Sequence, residues 1–484
     1  MNICFIILYV ILGLIALFLA VILIRAAMFK PAPGEAREYP DVNVDSEKAV
    51  KNLQTLVRFR TESFRDHSLE NDEEFKKLTD ALPQLYPNVY RVCELITLPG
   101  RELIYRWKGR SSDSASVLMA HYDVVPVNDD AWDMPAFEGI IKDGVLWGRG
   151  TLDTKVTLNG IMTSADTLIA EGFVPENDIY MAFSGGEEVN GEGAVNAAAY
   201  FKEKGIVINY VVDEGGGVVE DVFPGVSSEC AMVGIGEKGI LDVEYKVKSG
   251  GGHASAPRPG SPVVALSRAV TAIEDDPLPM RISEPAAKMF DTLGRHSSFV
   301  YRLIFSNLWC FKGVLNSITK KSGGELNALL RTTVAFTKME GSKATNVIPP
   351  EASVISNIRI APGDTVESVL AELKKRVNND KISITPIGGY ETDPSPVAPV
   401  DDPAWDKIKN AVAGTWKGCI VSPYLMVQCS DSRHYRDVTN KVYKFSAMDL
   451  TAEERGTIHG NNERIRLEVI GRATEFFTRL MMQS

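Results

Sequence analysis

Residues 116–123 read SVLMAHYD. A short apolar run, 116–120, ends directly before His121, as a buried strand does, and Asp123 follows two positions later. The same design recurs downstream. DIYMAF at 178–183 is followed by Glu187 and Glu188, and INYVV at 208–212 by Asp213. Between the first two runs, GRGTLDTK at 148–155 carries Asp153 and leads into a helical pattern over 156–171. Strands that alternate with helices imply a mainly parallel sheet covered by helices on both faces. The polar residues therefore stand at the carboxyl ends of strands, where open α/β sheets place their ligands.

Outward from this block, apolar residues recur at helical spacing over 42–60 and 71–82. Near residue 240 the texture changes. Residues 240–247 alternate apolar and polar, as a half-exposed antiparallel strand does. A helix over 262–273, a strand over 352–360 and a helix over 365–377 complete what reads as a smaller α+β unit inserted in the chain. After 386 the first pattern returns, with helices over 405–412 and 463–481. The organisation expected is an N-terminal apolar segment and flank (1–30), a linker (31–41), a first main-domain part (42–239), the insert (240–385) and a second main-domain part (386–484).

The 484 residues are 45% hydrophobic and 24% charged, a globular composition for two or three domains. With 52 basic and 63 acidic residues the net charge is −11, which argues against a nucleic-acid partner. Six scattered cysteines form no C-x-x-C pair, so neither a zinc ribbon nor a disulfide scaffold is expected. Residues 3–24 carry no charge, and as a helix they reach roughly 33 Å, enough to cross a bilayer core. No Lys or Arg precedes them and the run exceeds a usual signal-peptide core, so the expectation is a single-pass membrane anchor with the side of the soluble part open. Gly234-x-Gly236-x-x-Gly239 fits a dinucleotide fingerprint in letters only, because ILDVEYKV after it reads as a strand where a helix is required.

His121, Asp153, Glu188, Asp213 and His459 combine imidazole and carboxylate ligands, a mixture that suits zinc and, with several carboxylates, two ions sharing one of them. A two-metal centre activates water and polarises a carbonyl at neutral pH. Glu187 stands beside a proposed ligand and is placed to take a proton, and Asp123 to accept the free N–H of His121 and fix its tautomer.

The motifs HYDVVP (121–126), GRG (148–150) through Asp153 and Lys155, GEE (186–188), GEKG (236–239), GHASAP (252–257), NVIP (346–349) and IHG (458–460) resemble, in order, those of the dizinc exopeptidase and aminoacylase family. The resemblance covers essentially everything after the linker. It implies a dizinc hydrolase domain with an inserted lid and dimerisation domain, and two zinc ions bridged by Asp153, with Co2+ or Mn2+ as other metals. His121 and Asp213 would complete one ion's ligands, Glu188 and His459 the other's, with Glu187 as general base and Asp123 as orienter. His253 would help stabilise the tetrahedral intermediate, in many members across a homodimer interface. Asn346 and Arg359 would contact substrate, Arg359 as a fork on a free carboxylate. A cis peptide after Asp153 is also implied. Thr154 and Ala254 depart from the usual Asp and Ser, and neither is a ligand.

DSRHY (431–435), ERGTIHGNNERI (454–465) and the anchor look like the vacuolar Gly-Xaa carboxypeptidase and the N-fatty-acyl-amino-acid synthase/hydrolase. The activity implied is cleavage of an amide bond in a small substrate with a free carboxylate, reversible as synthesis. N-acyl amino acids and dipeptides both stay open as substrates. A membrane-tethered binding protein that keeps the fold without turnover is the alternative of another class. Residues 289–315 are expected to form an amphipathic helix packed in the lid, or else an apolar wall for an acyl chain or a second membrane contact.

Overall fold

The computed structural model describes residues 3–32 and 38–484; part of the expected linker, with Pro33, Gly34 and Arg37, lies outside them. The main sheet runs in the order Glu94–Leu98, Glu102–Trp107, Asn177–Ser184, Ser111–His121, Ile208–Asp213, Val442–Lys444, Cys230–Glu237, Ile420–Met426. Its central strands are parallel: Ser111–His121 pairs in parallel with both Asn177–Ser184 and Ile208–Asp213. The first two strands add an antiparallel edge, so the sheet as a whole is mixed.

Alternation along Ser111–His121 feeds both faces at once. Leu118 and Ala120 enter the core under helices Ser46–Leu56, Lys155–Ala170, Pro403–Thr415 and Leu467–Met481. Val117 and Met119 enter the opposite core, with Ala194, Ala197 and Phe201 of helix Gly193–Glu203. Both faces of these strands are buried, which is why they read as unbroken apolar runs.

A separate antiparallel sheet has the order Thr333–Glu340, Glu351–Ile360, Gly239–Lys248, Ile382–Thr392. Helices Pro262–Asp275 and Val366–Val377 cover it, and Leu241, Val243, Leu266, Ile273, Ile358 and Leu373 fill its own core. Thr365 and Ser368 cap the second of these helices reciprocally, and Lys374, Lys375 and Arg376 occupy its last turn. The strand from the main sheet passes straight into this unit through Gly239. A Cβ there would lie 2.2 Å from the Thr392 carbonyl oxygen, so only glycine lets strand Ile382–Thr392 close on Gly239–Lys248 at this end.

Two expectations change. The stretch 289–315 is not one helix: Glu284–His296, Phe299–Phe305 and Leu308–Ser322 are separated by Ser297-Ser298 and Ser306-Asn307. The closing helix begins at Leu467, because Arg464–Arg466 pairs as a strand with Val145–Trp147. The N-terminal helix spans Ile3–Met28, 26 residues, apolar and long enough to cross a membrane.

Candidate metal centre

Three adjacent parallel strands end at one edge, and the turns after them supply the polar groups. His121 is the last residue of its strand and pairs in register with Ser184, so the Glu187-Glu188 turn begins beside it. Asp153 lies in the turn before helix Lys155–Ala170, and its peptide bond to Thr154 is cis. His459 comes from the turn after helix Ala452–Arg455.

The two oxygens of Asp153 are shared between the two imidazoles. His121 Nε2 is 3.0 Å from Asp153 Oδ1, and His459 Nε2 is 2.9 Å from Asp153 Oδ2. Glu188 Oε2 is 3.1 Å from the same His459 nitrogen. On the other side, Glu214 Oε2 is 3.6 Å from His121 Nε2. Donor atoms about 2.0–2.1 Å from a tetrahedral ion sit about 3.3 Å apart, so these four pairs have metal-ligand spacing. His121, Asp153 and Glu188 form one group able to hold an ion, and His121, Glu187 and Glu214 another. Glu188 Oε1 is buried without a partner, as an unused ligand atom would be.

Asp213 was expected to join His121 and Asp153 around one ion, but its carboxylate is turned to another partner. Its Oδ2 accepts the Ser432 backbone N–H at 2.9 Å, while the Glu214 carboxylate faces His121. Side chains of neighbouring residues at a strand end point to opposite sides, so only one of the pair can reach the site. The acidic doublet before Gly215-Gly216-Gly217 was the available signal for Glu214.

Asp123 organises the turn. Its Oδ1 accepts Glu187 N–H at 3.1 Å, and its Oδ2 accepts Glu188 N–H at 3.2 Å and the Ser63 hydroxyl at 2.6 Å. His121 Nδ1 lies 3.0 Å from the Asp123 carbonyl and 3.3 Å from its carboxylate, which leaves Nε2 for a metal. Sequence reading missed Glu463. This buried carboxylate accepts backbone N–H groups of Gly150, Leu152 and Asp153 on Oε1 and the Arg149 guanidinium at 2.6 Å on Oε2. It holds the Asp153 turn in place.

The electrostatics call for cations. Burial pushes the Glu214 carboxyl up to about 8, against the pull of His121. Burial, with Glu214 nearby, raises Glu187 well above the usual range. Burial opposes ionisation of Asp153 too, but the two imidazoles hold it below the carboxylate range. Hydrogen bonds to Asp153 and Glu188 carry His459 up to about 10. A divalent ion among these carboxylates would take over the role the two charged rings play here.

The inserted unit supplies the remaining expected residues. Arg359 reaches back to the main domain, its Nη1 3.3 Å from Cys429 Sγ. His253 is exposed, with Nδ1 2.7 Å from Ser255 Oγ, and the exposed Asn346 accepts Ala254 N–H on its carbonyl. Among the described residues no hydrogen bond or ion pair joins His253 or Asn346 to the carboxylate–imidazole cluster.

A profile for Peptidase family M20/M25/M40 matches residues 117–483. The chain belongs to this family. It is 33% identical to a probable carboxypeptidase S-like 2 of Dictyostelium discoideum, over 89% of this chain and 84% of that one. It is 30% identical to the N-fatty-acyl-amino acid synthase/hydrolase PM20D1 of Xenopus tropicalis, over 91% and 86%. The fold is that of the M20 family metallo-carboxypeptidase Sso-CP2 from Sulfolobus solfataricus, with a TM-score of 0.65 at 17% identity, covering 90% of this chain and 98% of that one. This M20 chain is a metal-dependent hydrolase, and its strand-end cluster is where metal can bind.

Proposed function

We propose that this M20 enzyme cleaves, and in reverse forms, the amide bond of N-acyl amino acids, with two zinc ions in the cluster and its N-terminal helix crossing a membrane. Asp153, His121 and Glu214 would hold one ion, and Asp153, Glu188 and His459 the other. Bound there, the pair would polarise the amide carbonyl and acidify the attacking water; Co2+ or Mn2+ would serve the same ligands. The division of the two Asp153 oxygens between two imidazole–carboxylate sets is the observation that carries the reading.

The chain's own groups do the rest. Glu187 accepts the proton of the water that attacks the carbonyl carbon, and returns it to the nitrogen as the C–N bond breaks. Asp123 fixes the His121 tautomer and, through both backbone N–H groups, the divergence of Glu187 from Glu188. Arg359 grips the free carboxylate, and the exposed His253 and Asn346 complete the site, His253 from a second copy in a homodimer.

The N-acyl reading rests on the likeness to the fatty-acyl enzymes, and the likeness to the carboxypeptidase S-like chain makes a Gly-Xaa dipeptide the competing substrate. Purified, metal-loaded protein is offered an N-long-chain-acyl amino acid and a Gly-Xaa dipeptide. A higher kcat/KM on the acyl substrate is expected; preference for the dipeptide overturns the substrate, and no turnover with metal bound overturns the enzyme. Glu187→Gln should keep its metal and lose at least about 100-fold in kcat.

A further inference from the structure

The N-terminal helix is bolted to the helices that follow Ser298. Arg25 Nε and Nη2 donate to the Ser306 carbonyl at 3.1 and 2.8 Å, and Nε also lies 3.1 Å from Asn307 Oδ1. The fully buried Asn307 donates its Nδ2 to the Ile22 carbonyl at 3.0 Å. Phe18 meets Trp309 edge to face at 5.9 Å. Phe29 packs on the cluster of Met289, Leu293 and Phe305, with the Arg295 guanidinium 4.6 Å above its ring.

These contacts fix depth. Phe18 lies seven residues from Arg25 toward the N-terminus, about 10 Å along a helix axis. If Arg25 marks one edge of the hydrocarbon, Trp309 stands about 10 Å inside it, beside Phe18. Leaving apolar surface of this kind in water is costly, yet Trp309 is 60%, Val314 55% and Ile318 56% exposed, and Val300 on the preceding helix 66%. The same segment, 299–322, carries Arg302, Lys312, Lys320 and Lys321 and no acidic residue, in a protein of net charge −11. Apolar and aromatic residues with cations alone are the pattern of a helix lying in a membrane interface.

The segment leads to the substrate side. The next helix, Gly324–Leu330, ends against Lys238, whose Nζ donates to the carbonyls of Ala328 at 3.0 Å and Arg331 at 2.9 Å. Cys429 Sγ bonds the Lys238 carbonyl at 3.4 Å and receives Arg359 Nη1.

We propose that helices Phe299–Phe305 and Leu308–Ser322 are seated in the leaflet at the Arg25 end of the N-terminal helix, with Trp309 on one side of the second helix and Val314 and Ile318 on the other covered by phospholipid acyl chains. This rests on the reading that Ile3–Met28 crosses the membrane. The enzyme is then held at two points, and an amphiphilic substrate reaches Arg359 from the bilayer rather than from water.

The test uses the full chain in phosphatidylcholine–phosphatidylglycerol vesicles containing a phosphatidylcholine with a diazirine in its acyl chain. After photolysis, adducts are mapped by peptide mass spectrometry. Adducts on 3–28 and on Trp309, Val314 or Ile318 are expected. A W309E/V314E/I318E variant should lose those on 299–322, keep those on 3–28, and lose kcat/KM on a vesicle-borne long-chain N-acyl amino acid while keeping it on a soluble N-acetyl amino acid. Adducts on 3–28 alone refute the seated helices and leave the anchor standing. Adducts on neither refute the anchor and the proposal with it. Copy-to-copy cross-links through 299–322 in place of lipid adducts make that face a self-association surface and overturn the proposal.

Discussion

Glu463→Gln separates a positioning role from mere burial. In the native protein Glu463 Oε1 gathers three backbone N–H groups of the Asp153 turn, and Oε2 pairs with Arg149, which is itself 2% exposed. Glutamine keeps an oxygen for the three N–H groups but turns an NH2 toward the guanidinium. Removing one partner of a buried ion pair costs about 3–5 kcal/mol. Arg149 retains its Nη2 bond to the Gly460 carbonyl at 2.8 Å and its stack on Trp132, so the low end, about 3 kcal/mol, is expected. Chemical unfolding of the metal-free protein in detergent measures this. Because Glu463 orients the Asp153 backbone, metal affinity in a buffered titration should also fall about 10- to 100-fold. Adding Arg149→Met should recover part of the stability, since the stranded charge is gone, but not the affinity. A metal-free stability within about 0.5 kcal/mol of the native protein, or an unchanged affinity, would refute the clamp.

Glu214→Gln should lower the bound metal from two ions toward one by elemental analysis, whereas Asp213→Asn, which keeps an acceptor for Ser432 N–H, should retain both; the reverse pattern restores Asp213 as the ligand. Arg359→Lys should raise KM for carboxylate substrates about 10- to 100-fold, the loss of a charge-assisted fork, with little change for an amidated analogue. Burial, with Arg433 beside it, holds His434 down to about 4. Between about 4 and its ordinary value near 6.5 the unfolded chain binds the proton and the folded one does not, so stability from this group is complete above pH 6.5 and lost as pH falls to 4. His434→Gln should flatten the acid limb of a Tm-against-pH curve; an unchanged slope would show that another group sets it.

Sequence by itself determined the central strands, the placement of His121, Glu187 and Glu188 directly after them and that of Asp153 just before a helix; the outer strands, such as Glu94–Leu98 and Ile420–Met426, were not read from it. The features it determined are local: an apolar run and the residue that ends it are read together, because burial of both faces makes each central strand an unbroken apolar stretch. The antiparallel texture of the insert was legible for the same reason, since the burial of Glu351–Ile360 alternates residue by residue. Tertiary structure alone decided the rest. Which of Asp213 and Glu214 faces His121 depends on the Ser432 N–H, which arrives 219 residues later. The clamp of Glu463 joins segments 310 residues apart, and no periodicity announces a carboxylate that binds backbone. The helices after Ser298 look alike from sequence whether they pack inward or meet lipid. Arg25 and Asn307 set them beside the N-terminal helix, across 282 residues of chain, and so expose the face that sequence would have buried.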